Sequence, residues 1–154
     1  MSTGRHSPSS RPPRTVAKLS KLFSRLFSQN EGLYTSSLRP KKQEIRLLTI
    51  LLGDVDDEIK TTLSVVSLQK RPVYEALSYV WGDPTITKLI YVIGTEFEVT
   101  DNLFAALRSL RPTNGSRIFW VDAICVDQGN LVERSGLSLS LLDAFRVLKL
   151  KLGT

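Results

Sequence analysis

The chain has 154 residues, of which 42% are hydrophobic, and this is the size and composition of one globular domain. Its net charge of +6 comes from residues 1–30, which carry six basic and no acidic side chains, whereas the rest holds 15 of each, an argument against a nucleic-acid-binding fold. The single cysteine, Cys125, and the single histidine, His6, exclude internal disulfides, cysteine- or histidine-rich metal sites and a Ser-His-Asp triad.

Residues 1–37 form a basic tail rich in serine and proline. Within it, residues 15–28 place apolar side chains at helical spacing with lysine and arginine between them, which predicts a basic amphipathic helix. Such a helix can lie on an anionic membrane surface or serve in a mitochondrial transit peptide, and the alternative is a solvated tail. Because no apolar run approaches the roughly 20 residues of a membrane span, we expect a soluble, cytoplasmic protein unless this helix redirects it.

Two strands and an acidic turn open the folded part. Residues 44–52 and 59–68 read as strands, and residues 53–57 as the turn between them. The acidic cluster that begins at Asp54 lacks the spacing of an EF-hand, so a solvated hairpin turn is favoured over a metal site. A third strand is predicted over 74–81, ended by Gly82-Asp83-Pro84.

A hairpin, a helix and a buried strand follow. Residues 89–93 and 96–99 flank a turn at Gly94-Thr95. Thr100 is a predicted N-cap for an amphipathic helix that Arg111-Pro112 ends, and its apolar face consists of Leu103, Ala106, Leu107 and Leu110. Residues 117–125 are the most apolar segment, which predicts a central strand that is buried on both faces and has a parallel neighbour. The fold class is therefore α/β, a mixed sheet with crossover helices.

Polar side chains follow the third and the last of these strands. Trp81, Gly82 and Asp83 end one; Asp122, Cys125, Asp127 and Gln128 end the other. Neighbouring strands would bring them into one cleft, since ligands bind beyond the carboxyl ends of strands in α/β sheets. The alternatives are structural: Trp81 as a core aromatic, Asp122 bonded to a loop or an arginine, Cys125 as a buried apolar residue, and Asp127 and Gln128 as helix caps.

The segments YEALSYVWGD (74–83), VTDNLFAALRSLR (99–111) and FWVDAICVDQGNLVERS (119–135) closely resemble the heterokaryon incompatibility (HET) domain of filamentous fungi. The resemblance covers about residues 38–135. Beyond Ser135 the chain departs from the family pattern, so residues 136–154 read as a divergent tail and we expect a domain that is C-terminally truncated. Among the matching positions are Tyr79, Trp81, Gly82, Asp83, Trp120, Asp122, Gln128 and Glu133.

The resemblance implies a role in fungal non-self recognition and programmed cell death. It also implies a likeness to TIR domains, which are flavodoxin-like α/β folds. Two mechanisms stay open. The chain acts as a signalling module that self-associates or binds other incompatibility proteins, with no cofactor and no metal, or it cleaves NAD with Glu133 or Asp122 as the catalytic carboxylate. A third reading is an inert or interfering fragment.

Overall fold

The structure is a computed structural model that describes residues 32–140 and 147–149, with side chains described over residues 32–135. The predicted tail helix over 15–28 and most of the tail over 136–154 lie outside these residues. The described elements are strands β1 (Glu44–Ile50), β2 (Lys60–Ser67), β3 (Glu75–Ser78), β4 (Thr87–Val92), β5 (Thr95–Thr100), β6 (Arg117–Trp120) and β7 (Val147–Lys149), and helices α1 (Asp101–Leu110), α2 (Asp122–Cys125) and α3 (Leu131–Ser140). Short 3-10 helices precede β1 and follow β2, at Pro40–Lys42 and Leu68–Lys70.

The strands form one mixed sheet in the order β5-β4-β2-β1-β6-β3-β7. β1 is antiparallel to β2 and to β6, whereas β6 and β7 are each parallel to β3. The predicted mixed α/β sheet is confirmed. β6 lies inside the sheet with a parallel neighbour, as its apolar sequence indicates.

Helix α1 follows the predicted pattern residue for residue. The Thr100 hydroxyl accepts a hydrogen bond from the Leu103 amide, and the four buried residues are Leu103, Ala106, Leu107 and Leu110. This face packs on the main core, to which β1, β4, β5 and β6 also contribute. A period of 3.6 residues therefore specified which face of the helix is buried.

The main core lies on one face of the sheet, and a smaller apolar cluster lies on the other. Ile45 and Leu47 are buried in the smaller cluster, where Tyr74 and Trp120 pack against them. Because side chains alternate along a strand, Leu48 and Ile50 of β1 lie in the main core, whereas Ile45 and Leu47 lie in the smaller cluster.

Two predicted strands are shorter than expected. Of the strand predicted over 74–81, only Glu75–Ser78 (β3) is a strand. The strand predicted over 117–125 ends at Trp120, and Asp122–Cys125 is helical. Asp122 is thus at the start of a short helix and not inside a strand. Ile118 is 38% exposed, so burial of both faces was also wrong for β6. A short apolar run does not distinguish a strand from a buried helical turn, which is the reason for the error.

The β4–β5 turn differs from the prediction by one position. Its central residues are Ile93 and Gly94, both with positive φ, as a two-residue hairpin turn of type I′ requires. The acidic turn between β1 and β2 is confirmed as a turn, and Arg111 holds it by donating to the carbonyl oxygens of Asp54 and Asp57. Within the described residues, no helix combines the length and hydrophobicity needed to cross a bilayer.

Candidate functional site

The two polar motifs meet at one edge of the sheet. β3 and β6 are parallel neighbours, paired Glu75 with Phe119 and Ala76 with Trp120. The residues that follow them therefore leave the sheet on the same side. The Trp81 side chain reaches the Asp122 carboxylate and hydrogen-bonds it. This contact joins the first motif to the second.

Asp122 is partly buried at the start of α2. Its Oδ1 accepts a hydrogen bond from the Ala123 amide at 2.8 Å. Burial raises the pKa of this carboxyl, and the hydrogen bonds from Ala123 and Trp81 act in the opposite direction. The Gln128 amide donates to the Asp122 carbonyl at 3.0 Å, so Gln128 closes the loop after α2.

Two aromatic rings stand beside this carboxyl. The rings of Tyr79 and Trp81 are stacked with centroids 6.3 Å apart and planes 12° from parallel. Both rings are partly buried and pack against the main core. Burial, followed by the charge of Asp122, raises the pKa of the Tyr79 hydroxyl. Trp120 is also partly buried, but it spans the main core and the smaller cluster on the opposite face.

Glu133 is held in a buried ion pair with Arg46 of β1. The two guanidinium nitrogens donate to the two carboxylate oxygens at 2.8 and 3.0 Å, and the side chains are 2% and 9% exposed. Arg46 also donates to the carbonyls of Ser36 and Cys125, and its guanidinium lies 4.9 Å from the ring centroid of Tyr34. Bidentate geometry, with each terminal guanidinium nitrogen also donating to a backbone carbonyl, is what a buried pair needs to offset desolvation.

The loop between α2 and α3 connects the two halves of the site. The Asp127 amide donates to Glu133 Oε2 at 3.0 Å, and Asp127 Oδ1 accepts from Gly129. Asn130 caps α3 by accepting from the amides of Val132 and Glu133. Asn130 therefore fills the helix-capping role that was considered for Asp127 and Gln128. Those two residues form hydrogen bonds within the loop and to its neighbours.

Asp83 lies outside this cluster. It is exposed, and its carboxylate accepts from the amide and the hydroxyl of Thr85 at 2.8 and 2.6 Å. These hydrogen bonds, that of the hydroxyl first, lower its pKa. Gly82 has φ +76°, and a Cβ at that position would lie 2.8 Å from Asn102 Nδ2. Asn102 itself donates to the Val80 carbonyl at 3.0 Å and so fixes the path of this loop.

Sequence reasoning missed Arg46, Tyr34 and Asn102. Arg46 carried a signal, because it is the one charged residue within the otherwise mostly apolar run over 45–52. Tyr34 donates to the Ile124 carbonyl at 2.9 Å and covers the ion pair, but nothing in its local sequence indicates that role.

Metal binding and thiol chemistry find no support here. Among the described residues there is no group of three metal-ligating side chains. Cys125 is fully buried, and burial raises its pKa to about 12, so it packs as a small apolar residue. An open depression of about 520 Å³ lies elsewhere, between β2 and the β4–β5 turn, where Lys60, Thr62 and Tyr91 line it.

The fold and this edge define a mixed α/β sheet domain in which a buried ion pair holds the loop of the second strand-end motif. Residues 74–142 match the family described as "Heterokaryon incompatibility protein (HET)". The match begins at Tyr74, with the first motif, and continues seven residues past Ser135, where the resemblance was expected to end.

One curated relative is "Heterokaryon incompatibility protein 6, OR allele" of Neurospora crassa. It is 34% identical over 92 residues, which cover 51% of this chain and 14% of the relative. Most of the relative's length is thus outside the aligned region. No solved structure matches the chain significantly.

Proposed function

We propose that this chain acts in fungal heterokaryon incompatibility, as a non-self-recognition and cell-death signalling module that works by self-association. The match of residues 74–142 to the HET family supports the biological role. The name of the Neurospora crassa relative points the same way. Self-association is the finer part of the proposal and is argued from the site.

The state of the carboxylates favours a module over an enzyme. Glu133 is engaged on both oxygens by Arg46, and Asp83 is engaged by Thr85. A catalytic carboxylate must reach a substrate, and these two groups are occupied by their own chain. The sheet also differs in strand order and direction from the all-parallel 2-1-3-4-5 order of flavodoxin-like folds.

Exposed apolar side chains around the motifs carry the proposal. Val80 is 72% exposed beside Trp81, and Leu131 and Val132 are each 75% exposed at the start of α3. We call these three residues the motif rim. Large aliphatic side chains left in water next to the two motifs are typical of a protein contact surface.

The test compares two triple variants in a fungal host and in solution. In the host, the triple variant Val80→Ser, Leu131→Ser, Val132→Ser should abolish the cell death that the wild-type chain is proposed to cause. In solution, analytical ultracentrifugation of the purified variant should show a shift to the monomer. The matched control changes three exposed apolar residues elsewhere, Leu52, Val55 and Ile93, to serine. Death that survives the motif-rim variant, or that both variants remove equally, contradicts the proposal.

The second candidate, NAD cleavage, is favoured by Asp122. A partly buried carboxyl beside two stacked rings is the kind of group that, in its ionised form, can stabilise a cationic ribosyl centre. Under this alternative NAD is the substrate. Release of nicotinamide that is lost in Asp122→Asn but retained in Asp83→Asn would favour the enzyme. Absence of release from a protein that kills its host would favour the module.

A further inference from the structure

The two 3-10 helices lie side by side at one end of the β1–β2 hairpin. The Ser67 hydroxyl donates to the Lys42 carbonyl at 2.6 Å, and the Gln69 amide donates to the Lys41 carbonyl at 3.4 Å. The backbone amide of Leu68 donates to the Gln43 carbonyl at 3.0 Å. Two short segments far apart in sequence are thereby tied together.

This pairing gathers four cations, Lys41, Lys42, Lys70 and Arg71, which we call the basic corner. All four are exposed. None of them forms an ion pair with a carboxylate of the described residues, whereas Lys60, Lys88, Arg108 and Arg117 each do. The acid closest to Lys42 in sequence, Glu44, is already bound to Arg39 through three side-chain contacts. The charge of the corner is therefore available to a partner outside the described domain.

An exposed aliphatic side chain stands next to these charges. Val73 is 89% exposed and lies two residues after Arg71, with Pro72 between them. The aromatic residue beside it, Tyr74, packs inward against Ile45 and Leu47 and offers no ring for base stacking. Cations around a protruding aliphatic group suit a bilayer surface, because the charges meet headgroups while the apolar group enters the interface. Nucleic acid would instead call for stacking rings.

We propose that the basic corner is a peripheral membrane-contact surface that recognises the anionic headgroups of a lipid bilayer. It is distinct from the motif rim and does not depend on the function proposed above. The contact is electrostatic, so salt weakens it.

The test is vesicle sedimentation with the full 154-residue chain, using phosphatidylcholine with or without phosphatidylserine. The variant Lys41→Gln with Lys70→Gln should bind phosphatidylserine vesicles roughly 25-fold more weakly, because each cation near such a surface contributes about one factor of five. The matched control, Lys60→Gln with Arg134→Gln, removes two exposed cations outside the corner and should bind as the wild type does. Val73→Ser should weaken binding most at high salt, where the apolar contribution dominates.

Equal binding by the corner variant and the control overturns the proposal. So does wild-type binding that is indifferent to phosphatidylserine. A corner variant that loses affinity for duplex DNA but keeps its affinity for vesicles would assign the corner to nucleic acid and also overturn it. Circular dichroism of both variants checks that each retains the wild-type fold, and Lys42→Gln with Arg71→Gln repeats the measurement if the first variant fails to fold.

Discussion

At the scale of single residues, the buried guanidinium of Arg46 forms hydrogen bonds with three separate segments of the chain. It bonds Ser36 before β1, Cys125 at the end of α2, and Glu133 in α3. Its side chain is 2% exposed, so its charge depends on Glu133 for compensation. Breaking a buried pair costs far more than the pair itself contributes, since one charge stays behind without a partner.

Replacement of either partner should therefore destabilise the chain strongly. Arg46→Met or Glu133→Leu should each lower the free energy of unfolding by about 3–5 kcal/mol, and the double variant should lose much less than the sum. Urea denaturation measures all three. Lys88→Met is the control, because it breaks the exposed Lys88–Asp101 pair and should cost less than about 1 kcal/mol. Arg46→Met that costs no more than Lys88→Met would show that the ion pair is not a structural anchor.

The raised pKa of Asp122 makes a separate prediction about pH. Between the ordinary pKa of an aspartate, about 3.9, and its raised value, the folded chain binds a proton that the unfolded chain lacks. Stability contributed by this group is therefore present at low pH and is lost as pH rises through that window. Relative to Asp122→Asn, the wild type should lose stability from about pH 4 toward neutrality.

Asp83 supplies the opposite sign as a control. Its pKa is lowered, so its contribution is present above the unfolded value and is lost as pH falls. Relative to Asp83→Asn, the wild type should gain stability as pH rises. The measurement is the free energy of unfolding of the wild type, Asp122→Asn and Asp83→Asn across this pH range. If both differences from the wild type changed with pH in the same direction, the opposite pKa shifts assigned to Asp122 and Asp83 would be contradicted.

At the scale of elements, two glycines with nearly equal φ angles are required for different reasons. Gly94 has φ +75° in the β4–β5 turn, and a Cβ there would meet nothing within 4 Å. Gly82 has φ +76° in the loop after β3, but its Cβ would lie 2.8 Å from Asn102 Nδ2. The first position excludes side chains through backbone strain alone, and the second adds a steric conflict.

Alanine at these positions should separate the two effects. Gly94→Ala should cost about 1–2 kcal/mol, the strain of an L-residue in the left-handed region. Gly82→Ala should cost more, and adding Asn102→Ala should recover part of the excess beyond what Asn102→Ala alone predicts. Thermal or urea unfolding of the four proteins gives the comparison. Equal costs for the two glycines would mean that Asn102 moves aside freely.

The same scale shows what local sequence can and cannot specify. Helix α1 was predicted with its cap and all four buried residues, because an amphipathic period and a capping hydroxyl are local properties. β6 was predicted too long, because the apolar residues after Trp120 serve a buried helical turn equally well. The partner of Glu133 could not be predicted, because Arg46 lies 87 residues away and only the assembled sheet brings the two together.

At the scale of the whole molecule, the family segment depends on strands that precede it. Residues 74–142 contain β3, β4, β5 and β6, but β1 and β2 separate the β4–β5 hairpin from β6 and β3 in the sheet. Without them the hairpin would have no neighbour, and an isolated two-stranded hairpin is marginal in water. Leu48 and Ile50 of β1 would also be missing from the main core, and Arg46 from Glu133.

We therefore expect that residues 74–142 alone do not fold cooperatively, whereas residues 32–142 do. The reason is topological: the central strand pairs β1–β2 and β1–β6 supply the hydrogen bonds that unite the two sides of the sheet. Far-UV circular dichroism during thermal unfolding should show a sigmoidal transition for the longer fragment and a gradual change for the shorter one. Amide exchange should protect β6 only in the longer fragment. Protection of Phe119 in the shorter fragment would show instead that β3 and β6 form a stable unit without β1.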